Sequence, residues 1–243
     1  MSTNFAGESP PLSVVIPAYN EATRLPASIE KILRYLDACH PRFELIVVDD
    51  GSSDGTAQAA VAAAGGRAEL RVESYGGNRG KGYAVRHGLA AARGELVLFT
   101  DADLSTPIEA FEPLKAALDA GADVAIGSRA LPQSDVQVRQ PLFRDLGGKF
   151  FNAMVRLLLL PDLHDTQCGF KLFRRAPVLP LVARMRIDRF AFDVEILYLA
   201  RLAGLRIAEV PVVWVNSPDS RVRMSHAAAA FVDLLRIRRW HGA

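Results

Sequence analysis

Asp101 and Asp103 stand one residue apart, directly after the apolar run Leu96-Val97-Leu98-Phe99. A short unbroken apolar run marks a strand covered on both faces, so the two acids leave the carboxyl end of a buried strand together. Carboxylates at i and i+2 in a loop can converge on one hard cation, magnesium or manganese, which completes its shell with water and phosphate oxygens. The chemistry on offer is the handling of a diphosphate-bearing ligand. The same pair could instead cap the following helix, a common place for Asp, so the neighbouring elements have to decide.

Two earlier strands end in the same way. Leu12–Ile16 runs into Pro17-Ala18-Tyr19-Asn20-Glu21, and Phe43–Val48 delivers Asp49 and Asp50. Between them a helix is expected from Leu25 to Ala38, on an apolar stripe of Leu25, Ile29, Ile32, Leu33 and Leu36. An alanine-rich helix to Ala64 follows, capped by Ser53 or Asp54. A weaker strand over Glu69–Glu73 leads to Asn78-Arg79-Gly80-Lys81-Gly82-Tyr83-Ala84 and a helix to Ala92. Strands alternating with helices imply an α/β domain whose central sheet is mostly parallel and flanked by helices. Ligands of such sheets sit beyond the carboxyl ends of the strands. Polar groups gathered at one rim favour a binding site over three unrelated caps.

After the acidic pair come a helix, Phe111–Ala120, and a strand, Val124–Ile126, which ends in Gly127-Ser128-Arg129 and so brings a guanidinium to the same rim. Arg139–Leu160 combines basic residues with a long apolar helix over Phe150–Leu160, and Asp165–Phe173 then breaks the pattern. A helix over Asp193–Ala203 opens with Asp193 and Glu195, acids suited to a helix N-terminus. Ile207–Val215 reads as one late strand. Ala227–Trp240 has an apolar side and three late arginines, the pattern of a helix that either lies on a membrane surface or packs on its domain. The expected organisation is a tail over 1–11, one domain over 12–223 and a C-terminal amphipathic helix over 224–243.

Two familiar phosphate loops are excluded. A P-loop needs Gly at 75 and Ser or Thr at 82, where Tyr75 and Gly82 stand. A dinucleotide fingerprint opening at Gly80 needs a small residue at 85, where Val85 stands. A net charge of only +2 over 243 residues argues against bulk binding to nucleic acid. The two cysteines, Cys39 and Cys168, are too few for a disulfide framework and fit a reducing cytoplasm. The start MSTNFAGESPP lacks the features of a signal peptide. No uncharged apolar run reaches the roughly 18–20 residues of a spanning helix, so a soluble or peripheral protein is expected.

The motifs taken together carry a resemblance. Val14-Val15-Ile16-Pro17-Ala18-Tyr19-Asn20-Glu21, Val47-Val48-Asp49-Asp50-Gly51-Ser52, Asn78-x-Gly80-Lys81-Gly82-x-Ala84 and Asp101-Ala102-Asp103 occur in the order seen in inverting GT-A glycosyltransferases of family two. Gly127-Ser128-Arg129, Asp165-Thr166-Gln167-Cys168-Gly169-Phe170-Lys171 and Phe192-Asp193-Val194-Glu195 resemble the dolichyl-phosphate (polyprenyl-phosphate) β-glucosyltransferases, with the mannosyltransferases next. The resemblance spans roughly residues 12–223. It implies a GT-A fold, the Rossmann-like fold of nucleotide-diphospho-sugar transferases. It further implies a nucleotide pocket formed by Pro17, Ala18, Tyr19, Glu21, Asp49, Asp50, Lys81, Asp101 and Ala102, with a Mg2+ or Mn2+ ion held by Asp101 and Asp103. Arg129 would stabilise the leaving diphosphate, and Arg144, Arg139 and Arg221 would meet the acceptor phosphate. Asp103, Arg129 and Asp165 form the expected catalytic set, with Asp165 steadying charge at the sugar or binding its hydroxyls.

The implied reaction moves glucose from UDP-glucose to a polyprenyl phosphate at the cytoplasmic face of a membrane. A lipid monophosphate has a second pKa of about 6, so it is an anionic nucleophile at neutral pH and needs no general base. GDP-mannose as donor, a soluble acceptor, and a non-catalytic nucleotide-sugar-binding module are the alternatives. The apolar segments that would meet the membrane could equally serve as core or oligomer contacts.

Overall fold

Strand β1 (Leu12–Ala18) is buried along its whole length, as an unbroken apolar run requires. The computed structural model describes residues 9–40, 42–137, 142–215 and 224–242. After β1 come α1 (Leu25–Cys39), β2 (Phe43–Asp49), α2 (Thr56–Ala63), β3 (Leu70–Ser74), α3 (Lys81–Ala91) and β4 (Leu96–Thr100). The second half holds α4 (Phe111–Asp119), β5 (Val124–Ser128), β6 (Asp135–Val136), α5 (Leu142–Leu158), β7 (Phe170–Arg174) and α6 (Arg175–Val182). It closes with α7 (Phe192–Leu202), β8 (Ile207–Pro211), β9 (Val213–Trp214) and α8 (Met224–His241).

The main sheet has the order β3-β2-β1-β4-β7-β5-β8. β1, β2, β3 and β4 are mutually parallel, and β8 is parallel to β5. The α/β, mostly parallel sheet expected from the sequence is therefore present. Strand order reverses beside β1, since β2 lies on one side and β4 on the other. That reversal opens a crevice at the carboxyl ends of β1 and β4, where sheets of this kind take ligands.

The sequence reading missed β7. It runs antiparallel between β4 and β5, so its leading segment, 165–169, comes down from the same rim that carries the acids. The late strand is also divided, because Pro211 ends β8 and β9 leaves to pair with β6.

Side chains alternate across the sheet with period two. Val15, Ile46, Val48, Val97, Phe99 and Ile126 face one core, which α3, α5, α6, α7 and α8 cover. Val14, Ile16, Leu45, Val47, Leu98 and Ala125 face the other, beneath α1, α2 and α4. On α1 the buried apolar residues are Leu25, Ile29, Ile32, Leu33 and Leu36, the stripe expected from the spacing. α8 buries Leu234 and Ile237 in the first core and exposes Val232 and Leu235. Among the described residues no helix is long and apolar enough to cross a membrane.

Candidate active site

The acidic loop is shaped by local backbone geometry. The chain turns sharply at Leu104, whose φ is 45°; a non-glycine residue in that region is uncommon and is held only by its surroundings. Leu104 N–H donates to the Asp101 carbonyl at 3.2 Å, and Ser105 N–H donates to Asp103 Oδ1 at 3.0 Å. On the other side Ser28 Oγ donates to the Ala102 carbonyl at 2.7 Å and ties the loop to α1. Asp101 N–H donates to the Gly169 carbonyl at 3.1 Å, so β7 fixes where the first acid begins.

Gly169 is required at that contact. A Cβ there would fall 2.0 Å from Asp101 Oδ2, so any side chain would push the carboxylate out of place. We expect Gly169→Ala to lower kcat/KM by about a hundredfold, the usual cost of moving a reactive group by about 1 Å. The fold should survive, as thermal melting beside steady-state kinetics will check. An unchanged kcat/KM would show that the position of Asp101 is immaterial.

Asp101 Oδ1 faces Lys81 Nζ at 2.7 Å, yet it is closed off from solvent without an aligned hydrogen bond. Its charge is met by the Lys81 ammonium. Burial lowers the Lys81 pKa, and Asp101 and Asp193 more than offset that, so the ammonium stays protonated. Among the described residues no three His, Cys, Asp or Glu side chains cluster as a metal cage. Two carboxylates on one loop fit a hard divalent ion that takes its remaining ligands from phosphate and water.

Lys81 is delivered by the 75–80 loop, and Asp50 holds that loop. Its Oδ1 accepts from the Tyr75 hydroxyl at 3.0 Å and Arg79 N–H at 2.7 Å. Its Oδ2 accepts from Asn78 Nδ2 and Gly80 N–H, both at 2.9 Å. With four donors satisfied, Asp50 organises the loop that carries Lys81. Gly80 adopts φ 107° against the Asp188 carbonyl, where a Cβ would clash at 2.4 Å.

Arg129 follows β5 and forms a fork with Asp165. Nε donates to Oδ2 at 2.6 Å and Nη2 to Oδ1 at 2.9 Å, and the Arg129 backbone N–H adds a bond to Oδ2 at 3.0 Å. Gln167 N–H supplies a fourth donor at 3.0 Å. Asp165 is 2% exposed, and its carboxylate fixes Arg129, whose Nη1 takes no part in the fork. The guanidinium also lies 5.4 Å from the Trp214 ring.

Burial raises the Asp165 carboxyl pKa, but the charge and hydrogen bonds of Arg129 override it and bring it to about 2 from 3.8. A depressed folded-state pKa gives stability that is complete above about pH 4 and lost as pH falls toward 2. Urea midpoints should therefore drop between pH 4 and 2 by the equivalent of about 2 kcal/mol more in the parent protein than in Asp165→Asn. Parallel curves for the two proteins would contradict this.

The remaining expected residues lie as follows. Pro17 and Ala18 end β1, Tyr19 is 42% exposed just beyond it, and Asp49 ends β2 with Oδ1 accepting Ser52 N–H at 3.1 Å. Glu21 is buried and pairs with Arg24 at 2.5 Å, which ties its carboxylate to α1. Arg139 and Arg221 lie outside the described residues, as does the side chain of Arg144 on α5. Three participants were missed. Lys171 is buried in β7 and donates to Asp193 Oδ1 at 2.5 Å, so Asp193, in the first turn of α7 as expected, is also an ion-pair partner. Glu209 on β8 accepts the N–H of Asp165 at 2.9 Å. Glu195 accepts from Ile187 N–H at 2.8 Å and pairs with His241 of α8 at 2.7 Å. A lysine within the apolar run of β7 was the one visible signal.

Comparison with known proteins agrees with this geometry. Residues 13–179 match the family model Glycosyl transferase family 2. The dolichyl-phosphate beta-glucosyltransferase of Drosophila melanogaster is 40% identical over 224 residues, covering 87% of this chain and 69% of that protein. The human protein of the same name is 38% identical with the same coverage, and that of Saccharomyces cerevisiae is 34% identical over 88% of this chain and 70% of its own length. Among solved structures, mannosyl-3-phosphoglycerate synthase from Rubrobacter xylanophilus superposes with a TM-score of 0.73 at 23% identity, covering 96% of this chain and 75% of that one. Glucosyl-3-phosphoglycerate synthase from Mycobacterium tuberculosis, in complex with Mn2+, UDP and glucosyl-3-phosphoglycerate, gives 0.70 at 23% identity over 98% and 81%. At that identity the likeness establishes the fold.

Proposed function

The chain belongs to glycosyl transferase family 2, and on that premise we propose that it transfers glucose from UDP-glucose to a polyprenyl (dolichyl-type) phosphate with inversion at C1. Relatives at 34–40% identity that carry the dolichyl-phosphate glucosyltransferase name support this reading. The observation that carries the choice of acceptor is the commitment of the nearby carboxylates. Among the described residues, Asp165 is held by four donors and Asp193 by Lys171, so neither carboxylate is available as a base. A hydroxyl acceptor needs a general base within reach. A phosphate monoester needs none.

The chain's own residues then position and stabilise. Asp101 and Asp103 would hold Mg2+ or Mn2+, which when bound supplies charge for the departing diphosphate. Arg129, fixed by Asp165, adds a guanidinium at the same rim, preorganised where negative charge develops. Lys81 adds a second cation beside Asp101. Attack from the face opposite the nucleotide converts an α-linked donor into a β-linked product.

We also infer a peripheral location on the cytoplasmic face of the membrane. α5 exposes Phe150 and Leu157 beside Lys149 and Arg156, while α8 exposes Val232 and Leu235 beside Arg236 and Arg239. The helices pack together, with the Phe150 and Phe231 rings 5.5 Å apart. Apolar side chains among basic ones suit an anionic lipid surface.

The test is transfer of labelled sugar into an organic-extractable product, offering UDP-glucose and GDP-mannose separately with Mn2+ and polyprenyl phosphate. Label from UDP-glucose alone is the expected result. Label from GDP-mannose alone would reassign the sugar, and transfer to a small soluble acceptor without lipid would overturn the acceptor.

A further inference from the structure

Two ammonium groups flank one buried phenyl ring beneath the acidic loop. Lys81 Nζ and Lys171 Nζ each lie 5.7 Å from the centroid of Phe99, two residues before Asp101. Lys81 faces Asp101 at 2.7 Å. Lys171 is 1% exposed and donates to Asp193 Oδ1 at 2.5 Å and to the Cys168 carbonyl at 2.6 Å. Lys81 Nζ also lies 6.0 Å from the ring centroid of Phe192, which precedes Asp193. That ring meets Phe99 edge-on at 5.7 Å, which anchors the start of α7 against β4. The charges therefore alternate along the series Asp101, Lys81, Asp193, Lys171.

We propose that Asp193 is a positioning residue for the divalent-cation site: it offsets the buried charge of Lys171 beneath the acidic loop, and so keeps the potential at Asp101 and Asp103 favourable to an incoming cation. The proposal rests on Asp101 and Asp103 being the metal ligands. The reasoning is electrostatic. Each buried ion costs several kcal/mol in desolvation, so Lys171 and Asp193, 1% and 5% exposed, are a poor means of stabilising a fold. They make sense where a ligand charge has to be balanced. If the Asp193 charge is removed, two lysines face Asp101 alone, and the potential at the acidic loop becomes unfavourable to a dication. If the Lys171 charge is removed, Asp193 leaves a net negative charge beneath the loop, and the potential there becomes more favourable to a dication.

The two substitutions thus have opposite signs, which structural damage cannot produce. Mn2+ binding to the intact 243-residue chain without donor is measured by electron paramagnetic resonance, with circular dichroism as the check on folding. Asp193→Asn should weaken Mn2+ binding at least tenfold, Lys171→Gln should tighten it severalfold, and the double variant should return to within about threefold of the parent. Lys171→Gln and the double variant keep the test decisive should Asp193→Asn fold poorly. Parallel weakening by both single substitutions, or no change in either, overturns the proposal while parent binding leaves the metal-site reading standing. Absence of Mn2+ binding by the parent protein overturns both.

Discussion

Asp103→Ala lowers kcat by about a thousandfold and leaves the melting temperature within about 4 °C of the parent's. The carboxylate is only partly buried, and its one recorded hydrogen bond is a local one, from Ser105 N–H to Oδ1. Losing such a bond costs about 1 kcal/mol. Catalysis loses far more, because Asp103 is one of only two carboxylates on the loop able to hold a cation against the leaving diphosphate. Single-turnover kinetics over a Mn2+ titration separates the two effects. Activity within tenfold of the parent's at saturating Mn2+ would remove Asp103 from the site.

Arg129→Ala combines a loss of chemistry with a loss of stability, and the two can be separated. The substitution leaves Asp165 buried with its fork partner gone, a situation that costs about 3–5 kcal/mol. It also removes a guanidinium from the rim, worth about a hundredfold or more in kcat. Removing Asp165 as well takes away the stranded charge, so Arg129→Ala/Asp165→Ala should recover much of the lost stability. It should recover none of the activity. Urea unfolding and initial rates on the two variants provide the check. Recovery of activity in the double variant would mean that Arg129 serves only to neutralise Asp165.

The parallel half of the fold was legible because its strands are continuous apolar runs and its helices carry apolar stripes at helical spacing. Asp49, Asp101, Asp103 and Arg129 were legible for the same reason: each follows a strand whose end was visible. Pairings across long separations left no local trace. Asp165 lies 36 residues from Arg129 and looked like a ligand contact, although its oxygens are taken up by that arginine and by neighbouring backbone. That Asp50 clamps a loop some 30 residues away could not be read from its neighbours in the chain. Strand β7 was hidden because Lys171 interrupts its apolar pattern, and a lysine in a core makes sense only beside Asp193, which follows 22 residues later. Polar residues that satisfy one another inside a domain resemble surface residues until both partners are seen.

The central claim is that a phosphate oxygen of the lipid acceptor attacks C1 of the donor sugar. Nuclear magnetic resonance of the isolated product tests it most directly, through the 31P coupling to C1 and the anomeric configuration, with polyprenyl phosphate and polyprenol offered side by side. The account predicts a β-linked glucosyl phosphodiester from the phosphate and no product from the alcohol. An α-linked product, or glucose on a hydroxyl oxygen, would contradict it.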